Sequence, residues 1–373
     1  MSYKSIDTLQ KALAAKVFGH TKDQKKASGR ALGTFLEIIT FYLLKEWNFS
    51  SQIAIETPLP EYANENIRHN VEFTLHASKE IGSIKIETKK SYTAREILNL
   101  AQIKLEGGLK AGSVIGRDNR LTNSFTLLRN DNNFYITQIN NKHDKMSIYR
   151  LNNKPYAMFE CKRVGIEEGM TKGPQTIEKA KQGSYVANAV SALQKVRDKN
   201  GTLKGVIFTD GKYPTIDDYH SLLNRIINGP DDNLRNDFIL TVGVISNHGN
   251  WFTSSNPNKE MKILSQSYDW LLFLTDDGLC EFIKDLLFHP LKKYSDVKKA
   301  FIESYSSGSK NNCFTKTHIN VDADKELSIY FHENIKKIEK WFNVISPTNK
   351  AIEDLRVDLT TLSSKIGKEE GLK

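Results

Sequence analysis

The chain has 373 residues, a formal net charge of +9, and 39% hydrophobic and 10% aromatic residues. That length and apolar content bury a sizeable core and exclude a disordered chain. Cys161, Cys280 and Cys313 are too few and too scattered for a disulfide framework or a cysteine-rich zinc site. With no long apolar run and no apolar signal core near the first residues, the expectation is a soluble, cytoplasmic protein without a membrane partner. Its basic excess suits a polyanion.

Ser5 to Phe18 carries a helical stripe, Ile6, Leu9, Leu13 and Val17. After a basic polar link, a second helix is expected from Arg30 to Trp47, with Leu32, Phe35, Leu36, Ile39, Leu43 and Leu44 on one face. Glu37 sits among these apolar neighbours. The stretch VEFTLHASKEIGSIKIETKK alternates at Val71, Phe73 and Leu75 and reads as a hairpin. Thr93 and Glu96 make a capping-box pattern that opens a helix through Leu105. Four short β-favouring runs follow, SFTLLR, NFYITQI, MSIYRL and PYAMFECKRV, separated by turn residues.

The last two of these runs carry the chemistry. Asn152-Asn153-Lys154-Pro155 between them reads as the turn of an antiparallel hairpin. With Leu151 facing Tyr156, Ser147 lies opposite Glu160 and Asp144 opposite Arg163. Residues two apart on a strand share a face, so Glu160 and Lys162 project together and Cys161 projects to the other side. Two carboxylates converging with an ammonium repel one another unless a cation lies between them. Hard oxygen ligands of this kind suit Mg²⁺, with Lys162 orienting a water nucleophile or stabilising charge on a phosphoryl group. Asp118 and Asp131 remain alternatives for the first acid. Glu87-Thr88-Lys89 and Asp210-Gly211-Lys212 are rival acid-x-Lys sites, and an ordinary ion pair at a solvated strand end is the bland reading.

Beyond the motif, Pro174 fits the first turn of a helix. Ile177, Ala180, Tyr185, Ala189 and Leu193 are placed against the sheet, and Lys172, Lys179 and Lys181 are placed to meet phosphates. Lys204 to Asp210 and Asp237 to Ser246 are apolar runs expected as buried strands joined by a crossover helix capped by Thr215 and Asp218. Asn247, His248 and Asn250 follow the second run as base-reading candidates or as a plain turn. Tyr268 to Leu274 is expected at a sheet edge. A polar stretch from Ser306 to Asn312 divides residues 1–305 from a helical extension, residues 306–373. There Ile352, Leu355, Leu359, Leu362 and Ile366 form a seam for a second subunit or for the chain's own surface.

The acid followed by Glu160-Cys161-Lys162 at the end of a buried strand, then a helix and another core strand, resembles the PD-(D/E)XK nuclease superfamily and its type II restriction endonucleases. His143 stands where that pattern has proline. The resemblance implies an α/β fold, a mixed β-sheet flanked by helices with a restriction endonuclease-like core, here with an additional helical C-terminal region. It implies Mg²⁺ held by Asp144, Glu160 and the Cys161 carbonyl, with Glu37 assisting from the helix before the sheet. The implied activity is site-specific cleavage of double-stranded DNA by a homodimer. A repair or junction-resolving nuclease of the same superfamily, or a DNA-binding protein without catalysis, are the alternatives.

Overall fold

A computed structural model describes residues 6–18, 24–87, 89–105, 113–122, 126–129, 134–164, 174–208, 213–247, 252–305 and 312–369. Six strands form its central sheet, in the order Ile53–Glu61, Asn64–Leu75, Ala157–Arg163, Leu240–Ser246, Trp270–Leu274 and Phe342–Ser346. The motif strand Ala157–Arg163 runs antiparallel to Asn64–Leu75 and parallel to Leu240–Ser246. The sheet is therefore mixed, and helices flank it as expected. Leu240–Ser246 and Trp270–Leu274 are buried at every position, which explains their unbroken apolar sequences. Trp270–Leu274 is an interior strand rather than the expected edge, because Phe342–Ser346 pairs outside it. That strand comes from the region read as a helical extension.

Helix Gln24–Leu44 lies against one face of the sheet and buries Leu32, Phe35, Leu36, Ile39 and Leu43, so its apolar stripe does what its spacing requires. Helix Pro174–Ala189 follows the motif strand, beginning at the proline that the sequence marks. The expected parallel partner Leu203–Ile207 lies instead in a small antiparallel sheet with Gln194–Arg197 and Thr215–Asp218. The crossover from the motif strand accordingly ends at Leu240–Ser246. Thr215 is part of a strand, and Asp218 alone of the two caps the helix Tyr219–Asn228.

The expected hairpin at Asn152 to Pro155 is not formed. Lys145–Leu151 belongs to a separate four-stranded sheet, between Ser78–Lys85 and Phe134–Ile139, with Thr126–Arg129 beyond. The hairpin expected within residues 71–90 is absent for the same reason. Asn64–Leu75 and Ser78–Lys85 run on as one bent ribbon, and both arms of the motif region pair along it, Leu151 with Ser78 and Ala157 with Leu75. The bend is pinned by main-chain bonds from Asn152 N–H to the Ala77 carbonyl and from Tyr156 N–H to the Leu75 carbonyl, both 2.8 Å. His76 sits inside the corner, its ring 2.7 Å from the Asn152 carbonyl and 2.8 Å from Thr74 Oγ1. Burial pushes that imidazole down to about 3, so it bridges the two sheets as a neutral ring.

A buried ion pair ties the later part of the chain to the core. Asp324, on helix Val321–Glu339, meets Lys45 Nζ at 2.9 Å, His143 Nε2 at 3.3 Å and the donating Tyr42 hydroxyl at 2.6 Å. Burial opposes its charge, but Lys45, His143 and Tyr42 hold its carboxyl well below the ordinary range. Asp324→Ala leaves the Lys45 ammonium with nothing to balance it and is expected to cost about 3 to 5 kcal/mol in chemical denaturation. Because the folded-state value is depressed, Asp324 stabilises above the ordinary carboxylate range and loses that effect as pH falls toward the depressed value. The difference between wild type and variant should therefore shrink in acid. Helix Ile352–Glu369 buries Leu355, Leu359 and Leu362 against the chain itself, which is where the seam goes.

Candidate active site

The antiparallel ladder between the motif strand and Asn64–Leu75 stops at Phe159 opposite Phe73, while the parallel ladder on the other side continues to Arg163. The two strands part at that point, and Glu160, Cys161 and Lys162 line the gap. The next residue back along the partner strand is Glu72. Its Oε2 accepts from the Cys161 N–H at 3.2 Å, a donor that the broken ladder leaves without a strand partner. Lys162 Nζ forms an ion pair with Glu160 Oε1 and lies 3.7 Å from Glu72 Oε1. The Cys161 side chain points to the opposite face, with Sγ 3.5 Å from Thr40 Oγ1 on helix Gln24–Leu44, as alternation along a strand requires.

The sequence placed Asp144 beside Glu160; in the structure Glu72 holds that place. Asp144 lies at the turn before Lys145–Leu151 in the second sheet, where it accepts from Asn140 Nδ2 at 2.7 Å. Of the alternatives, Asp118 pairs with Arg120 at 3.0 Å beside a third sheet, and Asp131 lies outside the described residues. Glu87 is exposed and paired with Lys90 at 2.8 Å, and Asp210 and Lys212 lie outside the described residues. Glu37 does come to the site, through a cation the sequence reading missed. Lys316, on the loop before Ile319–Asn320, reaches 3.3 Å from Glu37, 3.5 Å from Glu56 and 4.0 Å from Glu72. Its side chain is only 8% exposed.

Glu56 stands opposite Glu72 in the first hairpin, between Ile55 paired with Phe73 and Thr57 paired with Val71. Its φ of 49° is left-handed, a conformation that non-glycine residues within a strand rarely adopt. The strain falls beside the convergent acids, as it tends to at functional positions. The only sequence sign of Glu72 is an acid between Val71 and Phe73 on an alternating strand. Lys316 lies in an unremarkable Thr-Lys-Thr sequence.

Four carboxylates, Glu37, Glu56, Glu72 and Glu160, meet two ammonium groups, Lys162 and Lys316. Burial, and then the neighbouring Glu72, push the Glu160 carboxyl up to about 8. Burial also opposes ionisation of Glu72, but its hydrogen bond with Glu160 and the charges of Lys162 and Lys316 hold it below the ordinary value. The pair thus retains a proton at neutral pH. Glu160 is 4% exposed, and no N–H or hydroxyl donor reaches its Oε2, which has only the Glu72 carboxyl beside it.

A buried carboxylate oxygen without a donor, next to a second carboxylate, is a place for a cation. A divalent ion can also displace the proton that the Glu160–Glu72 pair retains and take up its negative charge. Among the described residues no three His, Cys, Asp or Glu side chains are grouped closely enough to hold a metal ion, the three around Lys316 being spaced by its ammonium. Two carboxylates completed by a main-chain oxygen and water are nevertheless a set that magnesium accepts. Glu160 and Glu72 fit that ion.

The expected nucleic-acid contacts are more dispersed. Lys181 is exposed on helix Pro174–Ala189, whereas Lys172 and the side chain of Lys179 lie outside what is described. Asn247 is buried at the end of its strand, and His248 and Asn250 lie outside the described residues. Tyr185, expected in the core, is 55% exposed and donates to Glu61 Oε1 at 2.7 Å. Among the described residues no helix is long and apolar enough to cross a membrane. No protein-family model, curated protein or solved structure matches the chain.

Proposed function

We propose that the protein is a magnesium-dependent endonuclease that hydrolyses phosphodiesters in double-stranded DNA at a specific sequence. The observation that carries this reading is the unpartnered, buried Glu160 Oε2 beside Glu72, with Lys162 on the same face of a parted strand end. Glu160 and Glu72 would hold the ion, with the Cys161 carbonyl as a further donor, and the Cys161 N–H fixes the Glu72 carboxylate in place. Bound magnesium supplies Lewis-acid polarisation of a phosphoryl oxygen and a lowered water pKa. Lys162 is positioned by both acids, so its remaining N–H groups can orient the attacking water and meet the charge that grows on the phosphoryl oxygens.

The element order supports the resemblance to PD-(D/E)XK nucleases. A helix carrying Glu37 precedes an antiparallel pair, the motif strand, a helix and a parallel strand. The net charge of +9 suits a nucleic-acid partner. One such centre per chain and two strands per duplex make a homodimer the economical assembly.

Plasmid incubated with purified protein and Mg²⁺ tests this directly. Discrete fragments are expected. Cleavage confined to branched or damaged DNA would instead indicate a repair or junction nuclease, and retardation without cleavage a DNA-binding protein. Lys162→Ala is expected to lower the cleavage rate by about 10²- to 10³-fold without loss of the folded circular-dichroism spectrum. Unchanged cleavage by that variant would remove Lys162 from the reaction.

A further inference from the structure

We propose that the Lys316 ammonium occupies a second cation position in this centre, so that each chain is built to take one divalent ion rather than two. This rests on the metal-site reading above and adds to it.

Two-metal phosphoryl-transfer sites place their ions about 3.5 to 4 Å apart with a carboxylate between them. Glu72 is placed as such a bridge. Its Oε1 lies 3.7 Å from Lys162, which also pairs with Glu160, whose other oxygen no donor reaches. The same Oε1 lies 4.0 Å from Lys316, which also contacts Glu37 and Glu56. The first position has an oxygen with nothing to bind. The second already has its cation, delivered by the protein.

The loop that carries Lys316 is built to hold it. Phe314 is fully buried, its ring 5.5 Å from that of Phe301 and 6.3 Å from that of Phe35 on the Glu37 helix. The Thr315 N–H donates to the His318 carbonyl at 2.8 Å, and the His318 N–H donates back to Thr315 Oγ1 at 3.1 Å. Phe314 and Ile319 pair across the turn, leaving Lys316 at its tip. The side chain then runs inward, with Nζ 6.0 Å from the centre of the Phe73 ring. A surface lysine with a chance ion pair has none of this support.

A covalently tethered ammonium offsets part of the charge on Glu37, Glu56 and Glu72 at any metal concentration, but it has no coordination sphere in which to hold a water. Glu37, on this account, positions Lys316 and is not a metal ligand.

Calorimetric titration of Mn²⁺ into the full chain without DNA tests the assignment. Wild type should bind one ion. Lys316→Ala, which leaves Glu37, Glu56 and Glu72 around an open position, should bind two, and Lys316→Ala with Glu37→Gln should return to one. Two ions in wild type, or one in a folded Lys316→Ala, would overturn the proposal while leaving the metal site intact. No ion in wild type would overturn the metal site and this proposal together. Glu37→Gln in the wild-type background does not depend on Lys316→Ala folding. It should keep one ion with affinity changed less than about tenfold, whereas abolished binding would make Glu37 a ligand and refute the assignment.

Discussion

Glu72→Ala is expected to reduce plasmid cleavage by at least about two to three orders of magnitude, while Asp144→Ala cuts at the wild-type rate. Glu72 does three things at once. It lies against Glu160 at the candidate ion position, it fixes one side of Lys162, and it accepts the Cys161 N–H at the point where the ladder breaks. Removing it leaves a buried N–H without an acceptor and Lys162 with a single acid. Asp144 has none of these contacts; its partner is Asn140, in a different sheet. Rates measured at saturating Mg²⁺ separate the two carboxylates cleanly. Equal loss in both variants would mean that the second sheet folds over the motif strand during the reaction. Retained cleavage in Glu72→Ala would leave Glu160 without a second acid.

The contrast shows how far local sequence could carry the site. Glu160 and Lys162 were legible because a buried strand that ends in acid-x-Lys is a local pattern, and side-chain alternation fixes which residues share a face. Glu37 followed from the order of elements. The second acid depends on which strands pair, and there sequence proximity misled. The turn at Asn152 to Pro155 looks like a hairpin, yet each of its arms finds a partner along the bent ribbon of residues 64–85. Nothing in the turn itself reveals this, because the deciding interactions are long-range ladders and the buried His76 at the corner.

Glu72 could have been suspected as the one acid between Val71 and Phe73, residues that both enter the core. Lys316 could not, since no periodicity or motif brings a loop so late in the chain to the helix Gln24–Leu44. Apolar runs and turn residues were sufficient for the flanking helices and for most of the strands. They did not separate strands of the central sheet from those of the smaller ones, as Leu203–Ile207 shows by its antiparallel partners.

Glu160→Gln is expected to abolish cleavage and, in the metal-free protein, to flatten the dependence of stability on pH. The Glu160 carboxyl is pushed up to about 8 from an ordinary value of 4.5, first by burial and then by Glu72. A raised folded-state value means that this group's contribution is complete below the ordinary value and is lost as pH climbs through about 8. Each pH unit in that window removes at most about 1.4 kcal/mol. Metal-free wild type should therefore melt at progressively lower temperature from mildly acidic to alkaline buffer.

The amide of Glu160→Gln cannot ionise, so the variant should show a flatter curve and melt above wild type at high pH. Mn²⁺ should restore the wild type, because an ion held by two carboxylates stabilises the folded state by about 2.7 kcal/mol at a hundredfold excess over its dissociation constant. It should leave the variant unmoved. A variant that tracks the wild-type pH curve and gains equally from Mn²⁺ would mean that neither the proton nor the ion resides at Glu160. The paired loss of metal response and of pH response is informative because a merely structural carboxylate could produce the second without the first.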